Sequence, residues 1–176
     1  MPVRLSGNIV ELTDDLSASY AADISALAND RQVRDMLASD TFPHPFTMED
    51  ALAFFDRNRV IDGEMFAQDF IILCDGAPAG IIGISNVAWK HRSAHVGYWV
   101  GRKYWNHGVA SDALGLLVQH CSAIGLHRLY TKVLDHNPAS AKVLTKNGFH
   151  LEGIQKDSYN SGDRYHSMLL FGKILQ

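Results

Sequence analysis

Three apolar segments joined by very short connections constrain the fold of this chain more than any other feature. The segments DFIILC (69–74), IIGISNVA (81–88) and SAHVGYWV (93–100) are typical of strands, and only DGAPAG and WKHR separate them. Strands joined by so few residues pair antiparallel, because a parallel pair needs a crossover of about a dozen residues or more. We therefore expect an antiparallel sheet in the middle of the chain.

Helical periodicity and further strands flank this sheet. Apolar residues recur at helical spacing in 16–37, with a break near Asn29 and Asp30, and in 47–61, 110–125 and 138–148. Thr47 and Asp50 form a weak capping box at the start of the second helical segment. Further strands are predicted at 9–12, 128–134, 149–154 and 165–175. This order predicts an α/β fold in one domain, 1–176, with a mixed, mostly antiparallel central sheet flanked by helices.

Composition excludes several classes of protein. The 176 residues carry a formal charge of -3, without the basic surplus expected of a nucleic-acid binder. No apolar run reaches the roughly 18 residues that cross a bilayer, and the N-terminus lacks an apolar secretory core. Cys74 and Cys121 are too few for a disulfide framework and are expected to be buried free thiols. We expect a soluble cytoplasmic protein, monomer or homodimer, that binds neither nucleic acid nor membrane.

The segment YWNHGVASDALG (104–115) suggests an anion site. A helix begins near Gly108 directly after a strand and a short loop. The first turn of a helix has backbone N–H groups without intrahelical partners and a partial positive charge, so phosphate fits there. An ordinary tight turn would also explain one glycine. The sequence has no P-loop and no G-x-G-x-x-G, and neither H-E-x-x-H nor a Cys/His cluster with metal-ligand spacing, so no metal is expected.

Two motifs in order resemble a known family. The run GYWV…YWNHGVASDA followed by NPASAKVLTKNGF is similar to the GNAT superfamily of acyl-CoA-dependent N-acetyltransferases. Together with ND…FPHPFTMEDA near the N-terminus, it resembles the RimJ/RimL-like branch, which acetylates N-termini of ribosomal proteins. The resemblance covers nearly the whole chain. It implies a GNAT-like fold and acetyl-CoA as the cofactor.

The resemblance also implies roles for individual residues. The family's Q/R-x-x-G-x-G/A loop, whose amides bind the pyrophosphate of coenzyme A, falls here on Trp105, Asn106, His107, Gly108, Val109 and Ala110, with Ser111 beside it. The strand ending at Trp99 and Val100 would pair with the pantetheine arm, and its amides could stabilise the oxyanion. Asn137 matches the asparagine that hydrogen-bonds the pantetheine. Ser140 matches the serine proposed to protonate the leaving thiolate.

The catalytic acid and base depart from the family pattern. The tyrosine that acts as the general acid in the superfamily would fall at Leu144, and a leucine has no proton to donate. Ser140 is therefore the favoured general acid. The family's strand glutamate is replaced by His95, a residue type that is a competent base near neutral pH. Strand alternation puts His95, Gly97 and Trp99 on one face. A half-buried structural role for His95 is the alternative, and Glu152, Asp157 and His166 are other candidate bases.

The acceptor is expected to be an amine that loses its proton easily. The pKa of an α-amine is about 7.7–8.0, against about 10.4 for lysine, so a weak base suits an α-amine better. A protein N-terminus is therefore the favoured acceptor, bordered by the predicted loops 39–50 and 155–166. A small-molecule amine acetyltransferase, a catalytically silent acyl-CoA-binding module and a structural protein without a ligand are the alternatives, because fold alone does not establish chemistry.

Overall fold

An eight-stranded sheet carries helices on both faces in the computed structural model, which describes residues 1–37, 42–56 and 59–176. The strands are β1 Arg4–Ser6, β2 Val10–Thr13, β3 Val60–Ile61, β4 Glu64–Met65, β5 Gln68–Cys74, β6 Ala77–Ala88, β7 Ser93–Val100, β8 Arg128–Leu134, β9 His150–Asn160 and β10 Tyr165–Ile174. The helices are α1 Ala21–Ala28, α2 Arg31–Asp35, α3 Met48–Asp56, α4 Val109–Ala123 and α5 Pro138–Lys146.

The sheet order is β1-β2-β5-β6-β7-β8-β10-β9, and β3 pairs with β4 separately. The pair β7–β8 is parallel, and the other pairs among the described strands are antiparallel. Helix α4 provides the crossover that a parallel pair requires. The predicted mixed, mostly antiparallel α/β sheet flanked by helices is confirmed.

The parallel pair opens along most of its length. Within the described chain, β7 and β8 pair at Ser93–Arg128, Ala94–Leu129 and His95–Tyr130, although both strands continue further. We call the space between residues 96–100 of β7 and 131–134 of β8 the strand gap. On its other side β8 pairs with β10 as far as Leu134, so β8 is held in the sheet along the whole length of the gap.

The two faces of the sheet bury separate cores because successive strand side chains alternate. On β5, Phe70 and Ile72 join the cluster that includes α4 and α5. Ile71 and Leu73 join the cluster that includes α1 and α3. Each fully buried side chain of this size contributes about 1.5–3 kcal/mol relative to an exposed one.

Local signals explain most element boundaries. The Thr47 N–H and hydroxyl donate to Asp50 Oδ2, and the Asp50 N–H donates to Thr47 Oγ1, so the predicted capping box forms. Asp75 and Gly76 both have positive φ, 50° and 76°, and make the predicted hairpin turn. The cysteines are unpaired, with Cys121 buried and Cys74 half-buried.

Three sequence-based assignments are wrong. Val60–Ile61 is a strand rather than the end of a helix, and it turns through Asp62 and Gly63 into β4. The strand Arg4–Ser6 was not predicted. Half of the predicted loop 155–166 belongs to β9, its last two residues belong to β10, and residues 161–164 make the turn. The other predicted acceptor loop, 39–50, and the predicted helix over 47–61 fall partly outside the described residues.

Candidate active site

The glycine loop leaves the backbone of the α4 N-terminus open. Asn106 and Gly108 adopt positive φ, 63° and 80°, which turns the chain sharply into the helix. The helical ladder begins with Asp112 N–H donating to Gly108 O at 2.9 Å. The N–H groups of Val109, Ala110 and Ser111 come before that first bond and point to the loop, as a phosphate site requires.

A cleft of about 500 Å³ lies against this helix start. Its lining includes Gly108 and Ser111 of α4, the 6–9 turn between β1 and β2, and Lys146 at the end of α5. The Asp112 carboxylate holds the turn in place, since it accepts from the N–H groups of Ile9 at 2.7 Å and Val10 at 3.0 Å. Lys146, which sequence reasoning missed, adds positive charge that suits a phosphate.

Trp105 ties the loop to the strand. Its indole Nε1–H donates to Val100 O at 2.7 Å, which accounts for an aromatic residue where the family has glutamine or arginine. His107 and Asn106 are exposed at the rim of the loop. The Val100 carbonyl is therefore occupied by the protein.

Backbone donors line the β7 edge of the strand gap. Gly101 N–H donates to Ala79 O at 2.8 Å, so the alternation of an antiparallel pair turns the amide groups of Trp99 towards β6. The same alternation turns the N–H groups of Tyr98 and Val100 towards the gap. Of the two residues predicted to pair with the pantetheine arm, Val100 presents its N–H to the gap, whereas Trp99 turns its N–H towards β6.

Asn137 and Ser140 come together at the start of α5. Asn137 Oδ1 accepts from Ser140 N–H at 3.1 Å, and Asn137 Nδ2 donates to Met36 O at 3.3 Å. The asparagine thus caps the helix and ties it to the end of α2. An amide has two N–H groups, so one remains for a cofactor.

Ser140 has a partner that the sequence did not reveal. The Tyr98 hydroxyl lies 2.8 Å from Ser140 Oγ and 3.3 Å from Ser140 O. Burial raises the pKa of Tyr98 to about 12, so its hydroxyl stays protonated at neutral pH. Leu144, where the family's tyrosine would fall, is fully buried in the core. A tyrosine hydroxyl therefore reaches this site from β7 instead of from α5.

His95 borders the beginning of the gap on the other face. Its ring packs edge-on against Tyr130 at 5.6 Å between centroids, and its Nδ1 lies 3.4 Å from Ser85 Oγ. The pKa of His95 is lowered, first by burial and then by the positive charge of Lys132. The imidazole is therefore neutral, and able to accept a proton, at neutral pH. Trp99 shares its face, as predicted, and packs edge-on against Phe42 at 6.2 Å.

The other candidate bases lie in surroundings that differ from those of His95. Glu152 accepts from Arg128 at 2.8 Å, and this ion pair holds the pKa of the carboxyl below its usual value. Asp157 is exposed on the edge strand β9. His166 is buried beside Asp135 and His136. Of the predicted bases, His95 lies at the mouth of the strand gap.

In the described ranges, no helix is both long and apolar enough to span a membrane.

Comparisons with known proteins agree with this geometry. The model of the acetyltransferase (GNAT) domain matches residues 13–150. The ribosomal-protein-serine acetyltransferase of Escherichia coli K12 is 29% identical over 128 residues, covering 72% of each chain. The spermidine N(1)-acetyltransferase of the same strain is 27% identical over 121 residues, covering 66% of this chain and 65% of that protein.

A solved structure, the ribosomal L7/L12 alpha-N-protein acetyltransferase RimL in complex with coenzyme A, superposes with a TM-score of 0.86. It is 23% identical, and the match covers 99% of this chain and 98% of RimL. The open helix N-terminus, the adjoining cleft and the strand gap fit the phosphates and the extended arm of coenzyme A. The chain belongs to the acetyltransferase (GNAT) family and is an N-acetyltransferase that uses acetyl-CoA.

Proposed function

We propose that this enzyme acetylates the N-terminal α-amine of a protein or peptide, in the manner of the RimJ/RimL-like branch. The observation that carries the proposal is the positive charge beside His95. Lys132 is exposed and shares the sheet face of His95, and its charge is the second cause, after burial, that lowers the pKa of the imidazole. A polyamine is a polycation that would be repelled there, whereas an α-amine has a single charge that it loses easily.

The protonation states of the acceptors favour the same choice. At pH 7 roughly one α-amine in ten is neutral, against about one lysine in a few thousand. A cluster of carboxylates would attract the cationic form of a strongly basic amine into the site. A neutral histidine has no such charge, so it is a poor base for an amine of that kind. The name of the E. coli relative, a ribosomal-protein-serine acetyltransferase, supports a protein as the acceptor.

In this mechanism His95 removes the proton from the attacking amine. Acetyl-CoA supplies the thioester carbonyl that the amine attacks. The N–H groups of Tyr98 and Val100, which face the strand gap, donate to the oxyanion that forms on that carbonyl. Because these donors are held by the β6–β7 pairing, they need no reorganisation during the reaction.

The proton for the leaving thiolate comes from the opposite face of the sheet. Ser140 Oγ donates to the sulfur while it accepts from the Tyr98 hydroxyl at 2.8 Å. The tyrosine orients the serine and stabilises the charge that develops on its oxygen. His95 and Ser140 lie on opposite faces, which separates the site of amine entry from the site of thiol departure.

We also propose that the enzyme acts in the cytoplasm as a single domain. Two unpaired cysteines suit a reducing compartment, where acetyl-CoA is available.

The test is a comparison of kcat/KM for three acceptors, measured by thiol release from acetyl-CoA. The first acceptor is a peptide with a free N-terminal serine. The second is the same peptide with a blocked N-terminus and an internal lysine, so that the lysine is its acceptor amine. The third is spermidine. We expect the free N-terminus to be acetylated at least about a hundredfold faster than the lysine, in line with the neutral fractions. Ser140→Ala provides the background rate.

Lys132→Glu tests the observation on which the proposal rests. It reverses the charge beside His95 and should raise kcat/KM for spermidine relative to the peptide. A wild-type enzyme that prefers spermidine to every peptide, or a Lys132→Glu variant with unchanged preference, would contradict the N-terminal assignment.

A further inference from the structure

Three side chains that the acetyl transfer does not use meet at the end of β8. Asp135 and His136 follow β8 directly, and His166 is near the start of β10, which pairs with β8. One potential ligand atom from each residue lies within 4.8 Å of the other two. Asp135 Oδ1 is 3.5 Å from His136 Nδ1 and 3.5 Å from His166 Nδ1.

His136 presents an unsatisfied atom to this cluster. Its Nε2 lies 3.2 Å from Asp35 O, so Nε2 carries the proton and Nδ1 is left with a lone pair. Among the described residues, Nδ1 of His136 is buried and has no hydrogen-bond partner. A buried polar atom without a partner is destabilising, and a ligand at Nδ1 would remove that penalty.

The distances suit a small cation better than direct hydrogen bonds. A separation of 3.5 Å is too long for a good N–H···O bond. Two ligands about 2.0–2.2 Å from a four-coordinate ion lie roughly 3.3–3.6 Å apart. Two imidazole nitrogens and one carboxylate oxygen are a donor set that zinc-like ions accept, with a fourth position for water.

We propose that Asp135, His136 and His166 bind a divalent transition-metal ion of the zinc type. The outer contacts of Asp135 and His136 are those of such a site. Asp135 Oδ2 accepts from Ser167 N–H at 3.0 Å, and the bond from His136 Nε2 to Asp35 O fixes the tautomer that leaves Nδ1 free. The ion would join β8, β10 and the end of α2 next to Asn137. It replaces the expectation of no metal, and it does not depend on the acceptor proposed above.

Arg164 competes with a metal ion for His166, which predicts the direction in which its removal changes the affinity for the ion. Arg164 Nε donates to His166 Nε2 at 3.1 Å. When His166 binds an ion through Nδ1, its Nε2 must carry the proton and would then face another donor. Arg164 is exposed and has to turn away, so Arg164→Ala should bind the ion more tightly than the native chain.

The experiment is a titration of the full chain, without a histidine tag, with Co²⁺ and then Zn²⁺ in competition. We expect one ion per chain, visible absorption bands of four-coordinate cobalt, and a higher Tm with Zn²⁺. Asp135→Asn and His136→Asn should each weaken binding at least about tenfold. His91→Ala, which removes an exposed histidine outside the cluster, should bind as the native chain does.

Circular dichroism establishes that each variant is folded before the titration. Absence of saturable one-to-one binding to the folded native chain would overturn the proposal. So would equal affinity in Asp135→Asn, His136→Asn and His91→Ala, or weaker binding by folded Arg164→Ala.

Discussion

Tyr98→Phe is the most direct test of the acid side of the active site. The substitution removes the hydroxyl 2.8 Å from Ser140 Oγ and keeps the ring that packs against the core. Ser140 can still donate its proton, but it loses the partner that orients it. The expected effect is therefore smaller than the loss of the acid itself.

The magnitude follows from one hydrogen bond. A net contribution of about 0.5–1.5 kcal/mol corresponds to roughly a 2- to 13-fold lower kcat. Ser140→Ala removes a general acid and should lower kcat by about 10²–10⁴-fold. Once Ser140 is alanine, Tyr98→Phe should change kcat by less than about twofold, because the two hydroxyls act through one proton transfer.

Steady-state kinetics on the single and double variants, with acetyl-CoA saturating, measures these effects. Tyr104→Phe is the matched control, since its hydroxyl donates to Pro78 O at 3.2 Å and does not contact Ser140. It should leave kcat unchanged. Equal losses from Tyr98→Phe and Tyr104→Phe, or additive losses in the Tyr98–Ser140 double variant, would refute the assigned pairing.

Four other variants have expected outcomes. Gly108→Val should weaken coenzyme A binding at least about tenfold in calorimetry, since Gly108 has φ +80° and a branched side chain would also obstruct the phosphates; unchanged affinity in a folded variant would rule the loop out. His95→Gln should lower kcat/KM by about 10²–10⁴-fold and abolish its acidic limb. In the native enzyme the acidic limb should lie below about pH 6.5, because the pKa of His95 is lowered. Lys132→Met removes a positive charge that contributes to this lowering, so it should move the acidic limb to higher pH. The pH–rate profiles of the native enzyme and of the two variants measure both effects. Asp69→Asn should reduce the free energy of unfolding in urea by about 1.5–3 kcal/mol, since it removes the charge of a buried carboxylate that accepts from Arg59 Nε at 3.1 Å; an unchanged free energy of unfolding would contradict a stabilising ion pair.

Local patterns predicted the parts of the fold that local physics controls. Alternation along β7 correctly put His95 and Trp99 on one face, and short connections correctly implied antiparallel pairs. Asp62–Gly63 is a residue pair that favours hairpin turns, and the helix predicted over 47–61 from apolar periodicity did not take it into account. Residues 155–160 lack strand alternation because β9 is an exposed edge strand, whose side chains need no apolar face.

The contacts that complete the candidate site are non-local, and no spacing rule predicts them. Tyr98 and Ser140 are 42 residues apart and meet because α5 packs on the β7 face that Tyr98 shares. The family resemblance implies a tyrosine at position 144, where this chain has leucine, whereas the structure supplies a tyrosine hydroxyl from the strand β7. His136 and His166 are on different elements, so their proximity depends on the β8–β10 register.

The short β7–β8 pairing links cofactor concentration to the stability of the whole chain. Three residue pairs join the strands that end in β7 (β1, β2, β5 and β6) to β8–β10, and beyond those pairs none of the described strands lies between the facing edges. Coenzyme A in the gap would act as the missing strand, so it binds the closed sheet and not the unfolded chain. At a concentration 100 times its Kd, such a ligand adds about 2.7 kcal/mol to the free energy of unfolding. The cell's supply of acetyl-CoA would then affect the fraction of the enzyme that is folded as well as its rate.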